Sequence, residues 1–226
     1  MAAERVLRIA IDSAWNAPQI VFQHDQPHSG LFIELFEQIA RNSDAKIAWV
    51  ILPRKRLVGA VENNEADLLC HLNPKWLNLS IPPERWSGLF ITQENVIIQA
   101  AQHPQHEINL EQASFLNLGT VLGYHYPKLA AQMQRGLIRR IDSPSQEVLL
   151  KNTQNGKLQH SIANRLNVEE FNRRSPSGQQ LRIVQTVDIQ DTFCLLAPQP
   201  NIPAAQLKAA IAQLHSAKQI DAILHR

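Results

Sequence analysis

The stretch Phe90-Ile91-Thr92-Gln93-Glu94-Asn95-Val96-Ile97-Ile98-Gln99-Ala100 decides how the chain is organised, because it reads as a strand that leaves one globular unit and enters another. A second short apolar run, Thr192-Phe193-Cys194-Leu195-Leu196-Ala197, is stopped by Pro198 and Pro200 and predicts the strand that brings the chain back. The two crossings divide the chain into a first lobe of residues 1–93 and 197–226, hinge strands at 94–100 and 191–196, and a second lobe of residues 101–190. Two lobes on two strands predict a hinge with a cleft beside it, and such clefts are where small ligands usually sit.

Outward from that pivot, the first lobe alternates. Val6 to Ile11 is a predicted strand ending in the loop Asp12 to Pro18, and Gly30 opens a helix whose Leu31, Phe32, Leu35, Phe36 and Ile39 recur at helical spacing. Lys46 to Leu52 is a strand, Arg56 to Asn63 a helix, and Ala66 to Leu72 a third strand. This is the pattern of a parallel sheet with crossover helices, which binds ligands beyond the carboxyl ends of its strands. Those ends are Asp12 to Trp15, Pro53 to Arg56, and His71 to Trp76.

The second lobe repeats the logic. It has strands at Leu118 to Leu122, Ile138 to Ile141, Leu158 to Ala163 and Leu181 to Thr186, and helices at Lys128 to Arg135, Ser145 to Thr153 and Val168 to Arg173. A last helix, Ala204 to His215 with Ile220 to Leu224 after it, is expected to pack back on the first lobe.

The composition, 226 residues with 44% apolar and 19% charged, is that of a globular protein with a substantial core. A net charge of +2 spread without blocks leaves no nucleic-acid footprint. No apolar run approaches the ~18 residues of a membrane span. Met1 to Glu4 lacks the basic and apolar regions of a leader, so the chain is either cytoplasmic or a mature form whose leader has been removed. Cys70 and Cys194 lie in predicted strands of one lobe; they could bridge in an oxidising compartment, but the apolar contexts LLC and FCLL favour two buried thiols. No nucleophile, zinc, phosphate-loop or dinucleotide motif is present. His103 and His106 share a polar loop with no third metal ligand nearby, so neither a metal nor a cofactor is expected.

Five stretches carry a resemblance: LRIAIDSAWNAP followed by GLFIELFEQIA, Asn63 to Asp67, Arg85 to Phe90, Gly119 to Gly123, and Asn155 to Gln159 with Asn164. In order and spacing they resemble the family 3 extracellular solute-binding proteins, the periplasmic receptors of amino-acid importers. The resemblance implies an α/β, two-lobed periplasmic-binding-protein type II fold, each lobe a mainly parallel sheet flanked by helices. It also implies a monomeric, periplasmic protein that closes on a small polar, carboxylate-bearing ligand, an amino acid or a derivative, for an ABC-transporter permease. Two departures stand out. Asn73-Pro74-Lys75-Trp76-Leu77 replaces the family's Thr-x-x-Arg, and Asn164 replaces the Asp that pairs with an α-ammonium, so a buried ammonium would lose its charge partner.

The candidate ligand residues come from both lobes. Gly123, Tyr124, His125 and Tyr126 form a turn before a helix, where free N–H groups could cradle an anion. Trp15 and Trp76 are expected as exposed indoles flanking the cleft. Asp12 either caps its loop or takes a ligand cation, Arg56 and Arg85 are the guanidinium candidates for a carboxylate, and His71, Asn73 and Asn164 stand at strand ends. A lyase resembling cyclohexadienyl dehydratase, with Asp12 or Glu84 as the acid, and a sensory module reporting to a partner chain are the alternatives.

Overall fold

The structure, a computed structural model, describes residues 5–77, 79–104, 108–110 and 115–216. The expected helical segment Ile220 to Leu224, the start at Met1 to Glu4, and His106 lie outside the described residues. In chain order the elements are β1 (Val6–Asp12), β2 (Val21–Gln23), β3 (Gln26–Ser29), α1 (Leu31–Asn42), β4 (Lys46–Leu52), α2 (Arg54–Glu62), β5 (Leu68–Leu72) and β6 (Trp86–Ala100). They continue with β7 (Leu116–Val121), α3 (Ala130–Gln134), β8 (Ile138–Ser143), α4 (Gln146–Gln154), β9 (Ser161–Asn164), α5 (Arg165–Arg174), β10 (Leu181–Leu196) and α6 (Ala204–Ser216). The chain forms two compact units. Unit 1 takes the described residues of Met1–Trp15, Gln19–Thr92 and Asp191–Arg226, and unit 2 those of Asn16–Pro18 and Gln93–Gln190. The strands β6 and β10 carry residues of both.

In unit 1, β1 pairs in parallel with β4 on one side and β5 on the other, and β10 runs antiparallel to β5. Parallel neighbours require crossovers, which α1 and α2 supply. The apolar face of α1 buries Leu31, Phe32, Leu35, Phe36 and Ile39, and Phe32 and Phe36 pack on Phe90 with ring centroids at 5.7 and 5.9 Å. Gly30 enters this helix at φ 122°, and a Cβ there would stand 2.6 Å from the Gln19 carbonyl oxygen, so only glycine lets the chain pass. The last helix, α6, is tied to unit 1 by Gln206 Nε2 donating to the Ser43 carbonyl at 3.0 Å.

Unit 2 is built from β7 parallel to both β8 and β9, with β6 antiparallel to β9. Alternation along β6 sorts its side chains onto two faces. Val96 and Ile98 pack with Leu149, Leu150, Val168 and Phe171, whereas Ile97 packs with Leu118, Tyr126, Leu129 and Ile138. One core therefore lies on each side of the sheet.

Two expectations require correction. The expected free thiols are a disulfide, Cys70–Cys194, closing a separation of 124 residues; β5 and β10 are antiparallel neighbours, and a register shift between Phe193 and Leu195 sets Cys194 opposite Cys70. The two runs expected as strands at 181–186 and 192–197 are a single 16-residue strand, since no Gly or Pro interrupts the polar-apolar alternation between them. A β2–β3 hairpin also stands between Pro18 and Gly30, a stretch for which no element was expected. Its turn residues His24 and Asp25, at φ 50° and 58°, are not the Asn-Gly pair that advertises such turns in sequence.

Candidate ligand-binding site

In unit 1 the carboxyl ends of β4, β1 and β5 stand side by side. Asp12 ends β1, level with Leu52 of β4, and its loop folds back at once: Ala14 N–H donates to Asp12 Oδ1 at 3.0 Å and Trp15 N–H to the Asp12 carbonyl at 3.1 Å. This is the local turn that Asp favours. Asp12 is fully buried, yet its Oδ2 has no hydrogen-bond partner. Burial pushes its carboxyl pKa up, opposed by the Ala14 amide and by the charge of Arg54.

His71 stands near the end of β5. Ile9 and Leu68 are paired across β1 and β5, so Asp12 and His71 lie at equal steps beyond that pair. The His71 backbone adopts φ 60°, a left-handed conformation unusual within a strand. Its imidazole is buried and Nδ1 has no partner. Burial first, and then the charge of Arg54, lower its pKa from 6.5 to about 3, so the ring is neutral at physiological pH. Three aromatic rings surround it: Phe32 at 5.0 Å, Trp15 at 6.2 Å and Trp76 at 6.4 Å between centroids.

Trp15 and Trp76 are thus brought to the same place, but not as exposed indoles. They are 6% and 7% exposed, because Trp15 packs edge-on to Phe32 at 5.1 Å and Trp76 belongs to the cluster of Leu57, Val61, Leu69 and Leu72. Asn73 is committed to structure. Its Oδ1 caps the turn Pro74–Trp76 by accepting from Lys75 N–H at 2.8 Å, and its Nδ2 donates to the Asp191 carbonyl at 2.8 Å.

The guanidinium at this edge is Arg54, whose charge acts on both Asp12 and His71, and neither expected arginine takes that place. Arg56 is exposed on α2. Arg85 is spent on Glu62, at 2.8 Å, and on the Leu196 carbonyl, to which Nε and an Nη donate at 2.9 and 2.7 Å. The signal for Arg54 was its position directly after Pro53, where β4 ends and α2 begins. Glu84 is exposed in the turn Pro83–Arg85.

In unit 2, Gly123 takes φ 79° and opens the expected turn. The turn leads into a 3-10 segment, Pro127–Leu129, and then the five-residue α3, too short for a dipole-backed anion site. The turn is instead held from below. Arg140 donates to the Tyr124 and Val121 carbonyls at 3.0 Å each, and buried Tyr126 accepts from Val121 N–H at 3.2 Å, its hydroxyl pKa raised by burial. His125 is exposed.

Asn164 ends β9 and caps α5, accepting from Leu166 N–H at 3.0 Å. Around it lie polar residues that sequence reading passed over. Arg165 grips Glu94 with two hydrogen bonds at 2.6 and 2.8 Å, and Thr186 donates to the same carboxylate. Those bonds hold the Glu94 pKa below the usual carboxylate range, Arg165 contributing most. Asn95 donates to Asp188 at 2.8 Å, and buried Asn167 donates to the Ala17 carbonyl at 3.0 Å. Among the described residues no cluster of His, Cys, Asp and Glu could hold a metal ion, and no helix is long and apolar enough to cross a membrane.

No family model matches the chain, and no curated protein does. Solved structures do. An ancestral arginine-binding protein bound to arginine superposes with a TM-score of 0.77 at 13% identity, covering 98% of this chain and 97% of that one. A double mutant of the VFT2 domain of BvgS from Bordetella pertussis gives 0.71 at 15%, covering 98% and 92%. The ligand-binding core of GluR0 from Nostoc punctiforme, in complex with L-glutamate, gives 0.70 at 15%, covering 97% and 96%. The chain therefore has the α/β fold of the two-lobed type II periplasmic binding proteins.

Proposed function

We propose that this protein binds a small polar solute, an amino acid or a derivative of one, at the carboxyl edge of the parallel strands of unit 1. The observation that carries the reading is the pair of buried, unpartnered polar atoms there, Asp12 Oδ2 and His71 Nδ1. Buried polar atoms are normally paired, and a ligand donor would satisfy these at a place where parallel sheets bind ligands. The Arg54 charge favours a ligand that also carries a carboxylate. Neighbours of the same fold support the amino-acid class, having been solved with arginine and with glutamate.

The protein serves as the solute-binding component of an uptake or sensing system, and a structural neighbour described as the substrate-binding protein of an amino acid ABC transporter supports a permease as its partner. The Cys70–Cys194 bridge supports an oxidising, periplasmic compartment. A thermal-shift screen against amino acids, amines, dicarboxylates and short peptides tests the reading. A ligand at 100 times its Kd adds about 2.7 kcal/mol, and each kcal/mol moves the midpoint of a chain this size by roughly 2–4 °C. One chemical class should shift the midpoint by several degrees and be recovered unchanged; a panel without effect would contradict the reading.

A further inference from the structure

Within unit 1, His71 combines three features. It holds a left-handed backbone inside a strand, at φ 60°. Its ring lies among Phe32, Trp15 and Trp76, all with centroids within 6.4 Å. One of its ring nitrogens is buried without a partner. A core histidine chosen for packing alone would sit in a relaxed backbone with both nitrogens paired. Three aromatic rings gathered around one position are the ingredients of the boxes that hold ammonium groups, especially methylated ones, through the negative faces of aromatic rings. Fully buried Asp12 stands at the same level on the neighbouring strand β1.

We propose that His71 is the specificity-determining residue of this edge: its imidazole fills an aromatic box that would otherwise hold a quaternary ammonium head, and so restricts the protein to ligands with N–H or O–H donors. The inference deepens the solute-binding reading and rests on it for the identity of the site. A ligand donor meets Asp12 Oδ2 and the His71 ring nitrogen at the mouth of the filled box, whereas a methylated cation, with no donor to offer, finds its place taken. Removing the imidazole opens the space among these three rings, on the strand next to Asp12, to a methylated cation.

The left-handed backbone makes the test clean. Glycine adopts φ 60° without strain, so His71→Gly removes the ring without distorting β5. Tetramethylammonium chloride is titrated into wild type and His71→Gly, followed by thermal midpoint and tryptophan fluorescence, with sodium chloride as the salt control and tert-butanol as an uncharged probe of similar size. The expected result is binding to the variant at least tenfold tighter than to wild type, with tert-butanol the weaker ligand of the variant. Equal affinity for wild type and variant, or no binding to a folded variant, would overturn the proposal, as would tert-butanol binding as tightly as the cation. Should His71→Gly not fold, His71→Asn, which also tolerates this backbone, is read against the same probes with the same criteria. The amino-acid panel run on wild type keeps the two readings apart. A panel without effect beside a cation-binding variant sinks the solute assignment alone, and a solute-binding wild type beside a cation-blind variant sinks the His71 assignment alone.

Discussion

Asp12, the last residue of β1, and His71, one short of the end of neighbouring β5, stand at the same level beyond the Ile9–Leu68 pair, and each buries one polar atom that no other group satisfies. Their electrostatic positions are opposite. Burial raises the acid's pKa and lowers the base's, so desolvation favours the neutral form of both.

For Asp12 this separates stability from binding. Its folded pKa lies above the unfolded value, so its stabilising contribution is complete below about pH 3.9 and is lost as pH rises through the folded value. Asp12→Asn keeps an oxygen for the Ala14 amide and removes the titrating carboxyl group. The unliganded variant is expected to have a urea midpoint at pH 7 equal to or above that of wild type. Its affinity for the solute falls tenfold or more, since an amide NH2 faces the ligand's donor where Oδ2 accepted, and a buried unsatisfied donor costs roughly 1–3 kcal/mol.

His71 gives the opposite pH dependence. With its pKa lowered to about 3, its contribution is complete above about pH 6.5 and is lost as pH falls toward 3. The slope approaches about 1.4 kcal/mol per pH unit. Arg54 is the charged group that adds to burial in this shift. Urea midpoints from pH 7 down to pH 4 should fall more steeply for wild type than for His71→Asn, the difference between the curves isolating His71.

The Cys70–Cys194 bridge closes a long loop, with a separation of 124 residues. Chain entropy assigns such a cross-link roughly 5 kcal/mol. Replacing both cysteines by alanine is expected to lower the thermal midpoint by on the order of 10 °C. Both cysteines are fully buried, so reductant alone should act on the folded protein slowly, which thiol titration over time measures.

Gly119 of β7 offers a test within unit 2. A Cβ there would stand 2.2 Å from Ser161 Oγ and 2.8 Å from Leu158 Cδ1. Gly119→Ala should cost about 1–3 kcal/mol in urea unfolding, and adding Ser161→Ala should return part of it, giving a measurable coupling.

The order of strands and helices was legible because the hydrophobic pattern changes cleanly, from the short apolar run of Val6 to Ile11 to the helical spacing of Leu31 to Ile39. The start of α5 shows what local pattern hides: Asn164, read as a strand end, is also the cap that begins the helix at Arg165. Strand ends located the residues of the unit 1 edge, but not what each side chain does there. Trp15 and Trp76 look alike as potential exposed indoles until Phe32 and His71 are seen to pack against them. Arg85 resembles a ligand arginine until Glu62 and the distant Leu196 carbonyl are found to occupy it. These are pairings between residues remote in sequence, which one-dimensional pattern does not encode. The bridge was hidden for the same reason, since only the register shift in β10 sets Cys194 opposite Cys70.

The most direct test of the account is calorimetric titration of wild type and Asp12→Ala with the solute class that raises the wild-type midpoint. The account predicts a single-site isotherm for wild type and a loss of at least tenfold in affinity for the variant, with its circular dichroism unchanged. Undiminished binding by a folded Asp12→Ala would place the ligand elsewhere and contradict it.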